Sequence, residues 1–327
     1  MLKKFTIAHN SLIESEESDG TVLMYVNPDQ AERTYLCGTY HIDEHTLSST
    51  LDPDEVARVE FGRENVSLIW KYPMNCSGKD NFYFNVGSLG LFLISGRLII
   101  VTTDELTLTG TGGRHAATFN SPLELLLVIL LGAIQHYLEH LKVIKMIAHD
   151  LQKRINTSMQ NEHLIQMFNL SESLVYYLNA IGANGIVLGR LRTQAERQNY
   201  EPRIIEMLDD IAIENSQCYK QAEIYSTVFS GLMDARGSLV NNNMSMLLKN
   251  LTIINIVFLP LNLIAGIGGM SEFSMMTQGV DWRISYSLFF AAMIVVGWFT
   301  AYILGRLNFA SINPFDLFRG KRKWKKQ

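Results

Sequence analysis

Amide and hydroxyl side chains recur at helical spacing within an apolar stretch near the end of this 327-residue chain. Asn255 and Asn262 lie seven residues apart, and Thr252 and Ser245 continue the same row toward the N-terminus. Steps of three or four residues keep side chains on one face of a helix. The full row, called the polar stripe below, comprises Ser245, Leu248, Thr252, Asn255, Leu259, Asn262 and Gly266. Two leucines therefore interrupt a line of small or hydrogen-bonding groups.

The polar stripe lies on the first of two hydrophobic segments that are long enough to cross a membrane. A bilayer core of about 30 Å requires roughly 20 helical residues. Apolar residues dominate from Leu251 to Met270, and the 21 residues from Ile284 to Leu304 carry no charge. We therefore predict a first transmembrane helix over 247–270, an outer loop over 271–283 and a second transmembrane helix over 284–305.

The polar stripe has two interpretations, because it places amide side chains at membrane depth. An amide at membrane depth is costly and usually faces a bundle interior or a water-filled path. A polar row with intervening leucines suits a pore with hydrophobic constrictions at Leu248 and Leu259. Alternatively, Asn255 and Asn262 only form hydrogen bonds with neighbouring helices. The four polar positions on one stripe favour the pore. Pro260, beside the stripe, predicts a kink or a loosened turn.

The segment before the first span predicts a long helix that continues into it. Apolar residues recur every seven positions, at Ile211, Cys218, Tyr225, Leu232, Leu239 and Met246. Such a repeat is typical of a helix packed against others. No proline interrupts the segment, and a lone glycine costs a helix only about 1 kcal/mol. We expect one continuous helix from about Arg203 to Ile267, with residues 203–246 as a stalk.

Residues 1–118 predict a mixed α/β domain. β-branched and aromatic residues favour strands at Thr34–His41, Val66–Tyr72 and Phe82–Val86, followed by a hairpin of Leu89–Ile94 and Arg97–Thr102. Acidic residues and an early proline favour a short helix over Asp52–Arg63.

Residues 119–202 predict a hairpin of two helices. A capping box at Ser121–Glu124 begins the first helix, which runs to about Arg154, and the second covers about Asn161–Ala195. The apolar run Leu125–Ile134 is too short to span a bilayer and predicts a buried helix instead.

Charge and targeting signals indicate the orientation in the membrane. Residues 306–327 are predicted as a basic tail, whose last part, Arg319–Gln327, carries six basic residues and no acid. By the positive-inside rule this tail is cytoplasmic, and two spans then place the N-terminal part in the cytoplasm too. No apolar segment within Met1–Ser18 predicts a cleaved signal. We expect a multi-pass protein of the bacterial inner membrane. The three cysteines are far apart in the sequence, so we expect no disulfide.

Several short runs in the first span resemble one transporter family. The first span resembles the first transmembrane helix of the CorA family of divalent-cation channels and transporters, which includes the ZntB branch. The runs that carry the resemblance are Leu251–Ile254, Pro260–Leu261, Ile264–Ile267 and Gly269–Met270. The resemblance is specific over about 244–307. It implies an α+β cytoplasmic domain, a long stalk helix and two transmembrane helices, assembled as a CorA-like homopentameric funnel. The first span of each subunit, here with the polar stripe, lines the pore.

The resemblance also implies a pore mouth at Gly269, Met270, Ser271 and Glu272, with one departure. The family has asparagine after Gly-Met, as a ring that binds the water shell of an entering ion. Mg²⁺ sheds water reluctantly, which suits recognition through water. A serine hydroxyl is shorter, and five Glu272 carboxylates would attract cations by charge. Alternatively, Glu272 is a solvated loop acid. The departure fits a divergent branch such as the CmaX-type proteins.

Two further sets of residues are candidate metal ligands. His136 and His140 are four residues apart on a helix, a spacing that can bind Zn²⁺, but two ligands do not make a site and a solvated helix face is favoured. His41 to His45 offers similar donors, and a polar turn with a helix-capping acid is favoured there. The resemblance implies regulatory acids between neighbouring cytoplasmic domains, and the matching positions are Asp209 and Asp210. Paired carboxylates repel each other unless a cation bridges them.

No motif indicates an enzyme or a catalytic cofactor, and the acidic N-terminal part lacks the basic patch of a nucleic-acid-binding protein. We predict transport of Mg²⁺, Zn²⁺, Co²⁺ or Ni²⁺ through a homopentameric pore, with the metal as cargo and as a regulator. The alternative is a membrane scaffold or regulator that keeps the fold without transporting. Loss of the signature asparagine favours the scaffold, and the polar stripe argues against it.

Overall fold

The computed structural model describes residues 1–8, 11–14, 20–62, 65–74, 83–104, 119–157 and 161–306. The chain forms two compact units, Met1–Met233 and Asp234–Gln327. The boundary between the units lies within one long helix. The basic tail and Cys76 lie outside the described residues. The sequence predicted different boundaries, at 118, 202, 246, 270, 283 and 305. Those functional divisions stay predictions.

A seven-stranded sheet forms one layer of the first unit. Its strands are β1 (Leu2–Ala8), β2 (Ser11–Glu14), β3 (Val22–Val26), β4 (Arg58–Phe61), β5 (Asn65–Pro73), β6 (Val86–Ile94) and β7 (Arg97–Thr102). The order is β2-β1-β3-β7-β6-β5-β4, and β3 pairs with β7 in parallel. The predicted hairpin is confirmed as β6 and β7, which are joined at Ser95 and Gly96, both with positive φ. The predicted strand at Val66–Tyr72 is confirmed as β5.

Three predictions for the first 118 residues are wrong. Thr34–Tyr40 lies in helix α1 (Gln30–Tyr40) and His41 is its C-cap residue, because Asp29 and Glu32 form a capping box that starts a helix. Residues predicted as helix Asp52–Arg63 instead include a turn and β4, which pairs with β5. The predicted strand Phe82–Val86 is displaced, since β6 begins only at Val86. Phe82 and Arg63 lie outside the described residues.

Long helices cover one face of the sheet. Helix α3 (Pro122–Thr157) and helix α4 (Asn161–Arg197) agree with the predicted helical hairpin. The Ser121 hydroxyl accepts the Glu124 backbone N–H at 3.2 Å, which starts α3 as predicted. The core between this layer and the sheet includes Leu68, Trp70, Leu91, Ile100, Leu126, Leu130 and Tyr177. A smaller core on the other face joins α1 and helix α2 (Glu44–Thr50) to the sheet.

The last three helices are α5 (Pro202–Gly268), α6 (Ser271–Met276) and α7 (Trp282–Arg306). The single helix predicted from about Arg203 to Ile267 is confirmed as α5. By length and composition, α3, α5 and α7 could each cross a membrane. Within its most apolar window α3 is 44% buried, against 6% for α5 and 0% for α7. Burial of α3 against the sheet agrees with its prediction as a core helix.

Candidate pore surface and metal sites

The polar stripe occupies one exposed face of α5 within the second unit. All seven of its residues are exposed, including Leu248 at 57% and Leu259 at 69%. The residues half a turn away are less accessible: Ile253, Val257, Pro260, Leu261 and Ile264 are half-buried, and Gly268 is buried. The two sets lie on opposite sides of a helix with 3.6 residues per turn.

The less accessible face of α5 is the face that contacts α7. A Cβ atom on Gly297 would lie 3.4 Å from Cδ1 of Leu261, so these two residues pack closely. Gly268 likewise lies against the ring of Phe289. Leu261 therefore faces the second helix, while its neighbour Asn262 is turned away from it. The polar stripe does not serve the contact between these two helices.

The polar groups of the stripe differ in how they are satisfied. The Thr252 hydroxyl donates to the Leu248 carbonyl of its own helix at 2.8 Å. The Asn255 and Asn262 amides make no hydrogen bond within the described part of the chain. A buried amide without a partner costs several kcal/mol in hydrocarbon. These two amides therefore require water or another polypeptide when the helix lies in a membrane.

The stripe extends further toward the N-terminus than the sequence analysis recognised. Asn241 lies seven residues before Leu248, and Asp234 lies seven residues before Asn241. Both are exposed, and the Asp234 carbonyl accepts a hydrogen bond from the Ser238 hydroxyl at 3.1 Å. The spacing of Asn255 and Asn262, continued backward in steps of seven, would have identified both residues.

The residues predicted for the pore mouth connect α5 to α6. The Gly269 N–H donates to the Ala265 carbonyl at 3.1 Å, and the Met270 N–H donates to the Ile267 carbonyl at 3.2 Å. Met270 is the N-cap residue of α6 and has an extended backbone conformation. The Ser271 hydroxyl donates to Oε2 of Glu272 at 3.2 Å, and both residues are exposed. The Ser271 hydroxyl and the Glu272 carboxylate thus lie side by side at the predicted pore mouth.

The two histidines on α3 lie together, but in the protein interior. Their ring centroids are 4.3 Å apart, and Nδ1 of His140 lies 2.6 Å from the Tyr177 hydroxyl. Burial, assisted by the charge of His136, lowers the pKa of His140 to about 4. Burial also lowers the pKa of His136. The solvated helix face considered for them is therefore wrong for His140, which is only 9% exposed.

A metal ion would need further ligands at each predicted site. Among the described residues, no three His, Cys, Asp or Glu side chains lie close enough to hold a metal ion together. The metal roles of the histidine pair and of Asp209 and Asp210 stay predictions. The other histidine-rich segment has a structural role, because Asp43 caps α2 by accepting the Thr46 N–H at 2.9 Å.

Asp209 already has a cationic partner within its own subunit. Nε and Nη2 of Arg192, on α4, bind the two carboxylate oxygens of Asp209, and Nη1 binds Glu196. These hydrogen bonds from Arg192 lower the pKa of Asp209. Asp210 is exposed on the adjacent position of α5. Of the two acids, Asp210 is thus the more available to an external cation.

Comparisons with known proteins agree with this architecture. The complete structure of the CorA magnesium transporter from Methanocaldococcus jannaschii matches with a TM-score of 0.71 and 21% identity, over 93% of this chain and 96% of that chain. The full-length CmaX protein matches with a TM-score of 0.65 and 13% identity, over 94% of this chain and 98% of that chain. At these identities the likeness establishes the fold, an α+β domain followed by long helices.

A curated sequence relative matches over a shorter region. The cobalt/magnesium transport protein CorA of Thermotoga maritima is 33% identical over 96 residues, which is 29% of this chain. The matched part spans 27% of the length of that relative. The family model for "CorA-like Mg2+ transporter protein" matches residues 20–306. Together with the exposed apolar helices, this match makes the chain a membrane protein, and it belongs to the CorA-like Mg²⁺ transporter family.

Proposed function

We propose that this protein is a transporter that conducts divalent metal cations across a membrane through a pore lined by the polar stripe. The observation that carries the proposal is the placement of the stripe on the face of α5 opposite the contacts with α7. A helix that only needed to pack in lipid would not present two amides there, because unpaired amides are costly in hydrocarbon.

A homopentamer with α5 around its axis would satisfy this surface. Five copies of Asn255 and Asn262 would line a water-filled path, and the exposed Leu248 and Leu259 would form hydrophobic constrictions. The stripe continues to Asn241 and Asp234, so carboxylates would attract cations at the inner end of the pore. The outer mouth would consist of Gly269, Met270, Ser271 and Glu272.

The membrane potential supplies the driving force in this proposal. Each charge gains about 2.3 kcal/mol per 100 mV on moving to the negative side. With both termini in the cytoplasm of a bacterium and the inner membrane negative inside, the favoured direction for a cation is inward. Family members are transporters, and this chain carries no motif for a catalytic cofactor. The metal is therefore cargo.

Regulation by the cargo metal would involve Asp210 more than Asp209. Arg192 occupies both oxygens of Asp209, whereas Asp210 is exposed. A cation shared with a neighbouring subunit would hold the pore closed, and its loss would loosen the ring. Asp210→Ala is then expected to weaken inhibition of flux by internal metal. Unchanged inhibition in this variant would remove Asp210 from the mechanism.

The decisive experiment measures metal flux into proteoliposomes that contain the purified protein. Flux of Mg²⁺, Zn²⁺, Co²⁺ and Ni²⁺ is compared with and without an imposed potential. Asn262→Leu is expected to reduce flux at least about tenfold, because an amide is lost from the water path. Asn243→Leu is the matched control, since Asn243 lies on α5 away from the polar stripe. Equal flux in the two variants would contradict the assigned pore surface.

The same experiment distinguishes the second candidate function, a scaffold or regulator that does not transport. Ser271 at the mouth, where the family has asparagine, is the observation that favours it. The absence of flux for every ion, from protein that is pentameric by size and mass, would support the scaffold. Flux that saturates and prefers one ion would exclude it and identify the cargo.

A further inference from the structure

An aromatic ring of helix α7 lies against the end of α5. A Cβ atom added to Gly268 would lie 2.9 Å from both Cε1 and Cε2 of Phe289 and would overlap its Cζ. Positive φ, which would itself favour glycine, occurs at Gly96 and not at Gly268. The ring of Phe289 therefore occupies the space that a side chain at position 268 would need, and any larger residue would displace the ring.

The same ring supports the chain on the other side of the pore mouth. The centroid of the Phe273 ring lies 5.3 Å from that of Phe289, with an interplanar angle of 57°. Phe273 also contacts Tyr286 edge-on, with centroids 6.2 Å apart. Aromatic rings at these separations attract each other. The four residues from Gly269 to Glu272 thus lie between two contacts with one side chain of α7.

We propose that Phe289 is the positioning residue of the pore mouth, which it fixes through Gly268 before the mouth and Phe273 after it. This inference rests on the proposed transport function, because it gives the second span a role in selecting the ion. The spacing of the Ser271 and Glu272 oxygens around the axis depends on where each subunit holds this short segment. Loss of the ring frees both ends of the segment.

The test measures both the exposure of the mouth and the ion preference of the full-length protein. Ser271→Cys is reacted in proteoliposomes with a membrane-impermeant thiosulfonate, and labelling of the native cysteines is subtracted. In this background, Phe289→Leu is expected to change the reaction rate at least about threefold, the order of one lost aromatic contact. With Ser271 intact, Phe289→Leu is expected to change the ratio of Mg²⁺ to Co²⁺ flux.

Phe290→Leu is the matched control, because Phe290 is the next residue of α7 and is 64% exposed. It should leave the reaction rate and the flux ratio unchanged. Gly268→Ala provides a second perturbation, since its methyl group pushes the ring away. Gly268→Ala combined with Phe289→Leu should show the reaction rate of Phe289→Leu alone, because the methyl group then has no ring to displace. Gly279→Ala, whose methyl group meets no atom within 4 Å, is the control for this substitution.

The outcomes separate this inference from the proposed function. If Phe289→Leu and Phe290→Leu behave alike in labelling and in ion preference, the positioning role is overturned. The same follows if Gly268→Ala has no effect on labelling, or if adding Gly268→Ala to Phe289→Leu changes the labelling rate further. Labelling requires no transport, so the expected labelling pattern without any flux would overturn the transport proposal alone. Size-exclusion chromatography verifies that each variant keeps the oligomeric size of the parent protein.

Discussion

Nδ1 of His140 and the hydroxyl of Tyr177 lie 2.6 Å apart, in the core between α3 and α4. The ring of His136 lies against the same imidazole, and Phe84 contacts it edge-on at 5.3 Å. An imidazolium ion would lose hydration in this apolar surrounding and would be repelled by a protonated His136. His136 and His140 therefore stabilise the fold as neutral rings, and protonation at low pH should destabilise the folded protein.

Stability should fall with pH in the range set by His140. The unfolded chain binds a proton near the ordinary pKa of 6.5, whereas the folded chain binds it only near 4. The stabilisation is therefore complete above pH 6.5 and is lost as the pH falls toward 4, by about 2–3 kcal/mol. Unfolding experiments between pH 7.5 and 4.5 measure this slope. His140→Gln should flatten the slope, and His149→Gln, at an exposed position of α3, should not.

Lys71 is a buried cation that holds a loop to the sheet. Its Nζ donates to the Pro53 carbonyl at 2.5 Å and to the Ser88 hydroxyl at 2.8 Å. Asn184 of α4 binds both the backbone N–H and the carbonyl of Lys71. Burial lowers the pKa of Lys71, against the opposing influence of Asp52 and other nearby acids. The Lys71 ammonium group thus supplies the hydrogen bond that water would otherwise donate to the Pro53 carbonyl.

Replacing Lys71 with methionine should destabilise the first unit. The apolar chain fills similar space, but it leaves the Pro53 carbonyl and the Ser88 hydroxyl without their charged donor. Lost hydrogen bonds to a charged group cost about 1.5–3 kcal/mol. Denaturant unfolding of Lys71→Met measures the loss, with Lys145→Met at an exposed position of α3 as the control. Equal stability of the two variants would be inconsistent with the role assigned to Lys71.

Glu272 should influence flux through its charge. If five carboxylates attract cations to the mouth, Glu272→Gln should lower flux more at about 20 mM than at about 300 mM salt, because salt screens the attraction. Asp281→Asn is the matched control in the same loop, since Asn can still accept the Arg283 N–H that Asp281 accepts at 3.1 Å. An effect of Glu272→Gln that does not vary with salt would identify Glu272 as a solvated loop acid.

The sequence predictions were accurate where the local signals within an element agreed with one another. Helix α5 was predictable because its apolar repeat continues over many turns. Thr34–His41 was predicted as a strand because it is rich in β-branched and aromatic residues. The capping pair Asp29 and Glu32 starts a helix there instead. Short segments carry too little periodicity to overcome such conflicts.

The face of the polar stripe followed from residue spacing, but its surroundings did not. Helical periodicity groups Asn255 with Asn262, whereas the contact of Gly268 with Phe289 joins two helices through a close approach that leaves no local pattern. The pairing of Asp209 with Arg192 likewise connects α5 to α4. Such contacts depend on tertiary packing, which spacing along one helix cannot specify.

Two threonines with the same local hydrogen bond allow the stripe to be tested with small changes. The Thr252 hydroxyl donates to the Leu248 carbonyl at 2.8 Å, and the Thr300 hydroxyl of α7 donates to the Val296 carbonyl at 3.0 Å. Valine removes the same bond at either position, so any general effect on a helix should be shared. Thr252 alone lies on the polar stripe.

Thr252→Val should therefore reduce metal flux about fivefold, as expected for the loss of one hydrogen-bonding group of about 1 kcal/mol from the path of a hydrated ion. Thr300→Val should retain the flux of the parent protein, because its hydroxyl lies on the second helix and away from the stripe. Proteoliposome flux at equal protein content compares the two. A larger loss in Thr300→Val would place the ion path along α7, and equal losses would attribute the effect to helix packing.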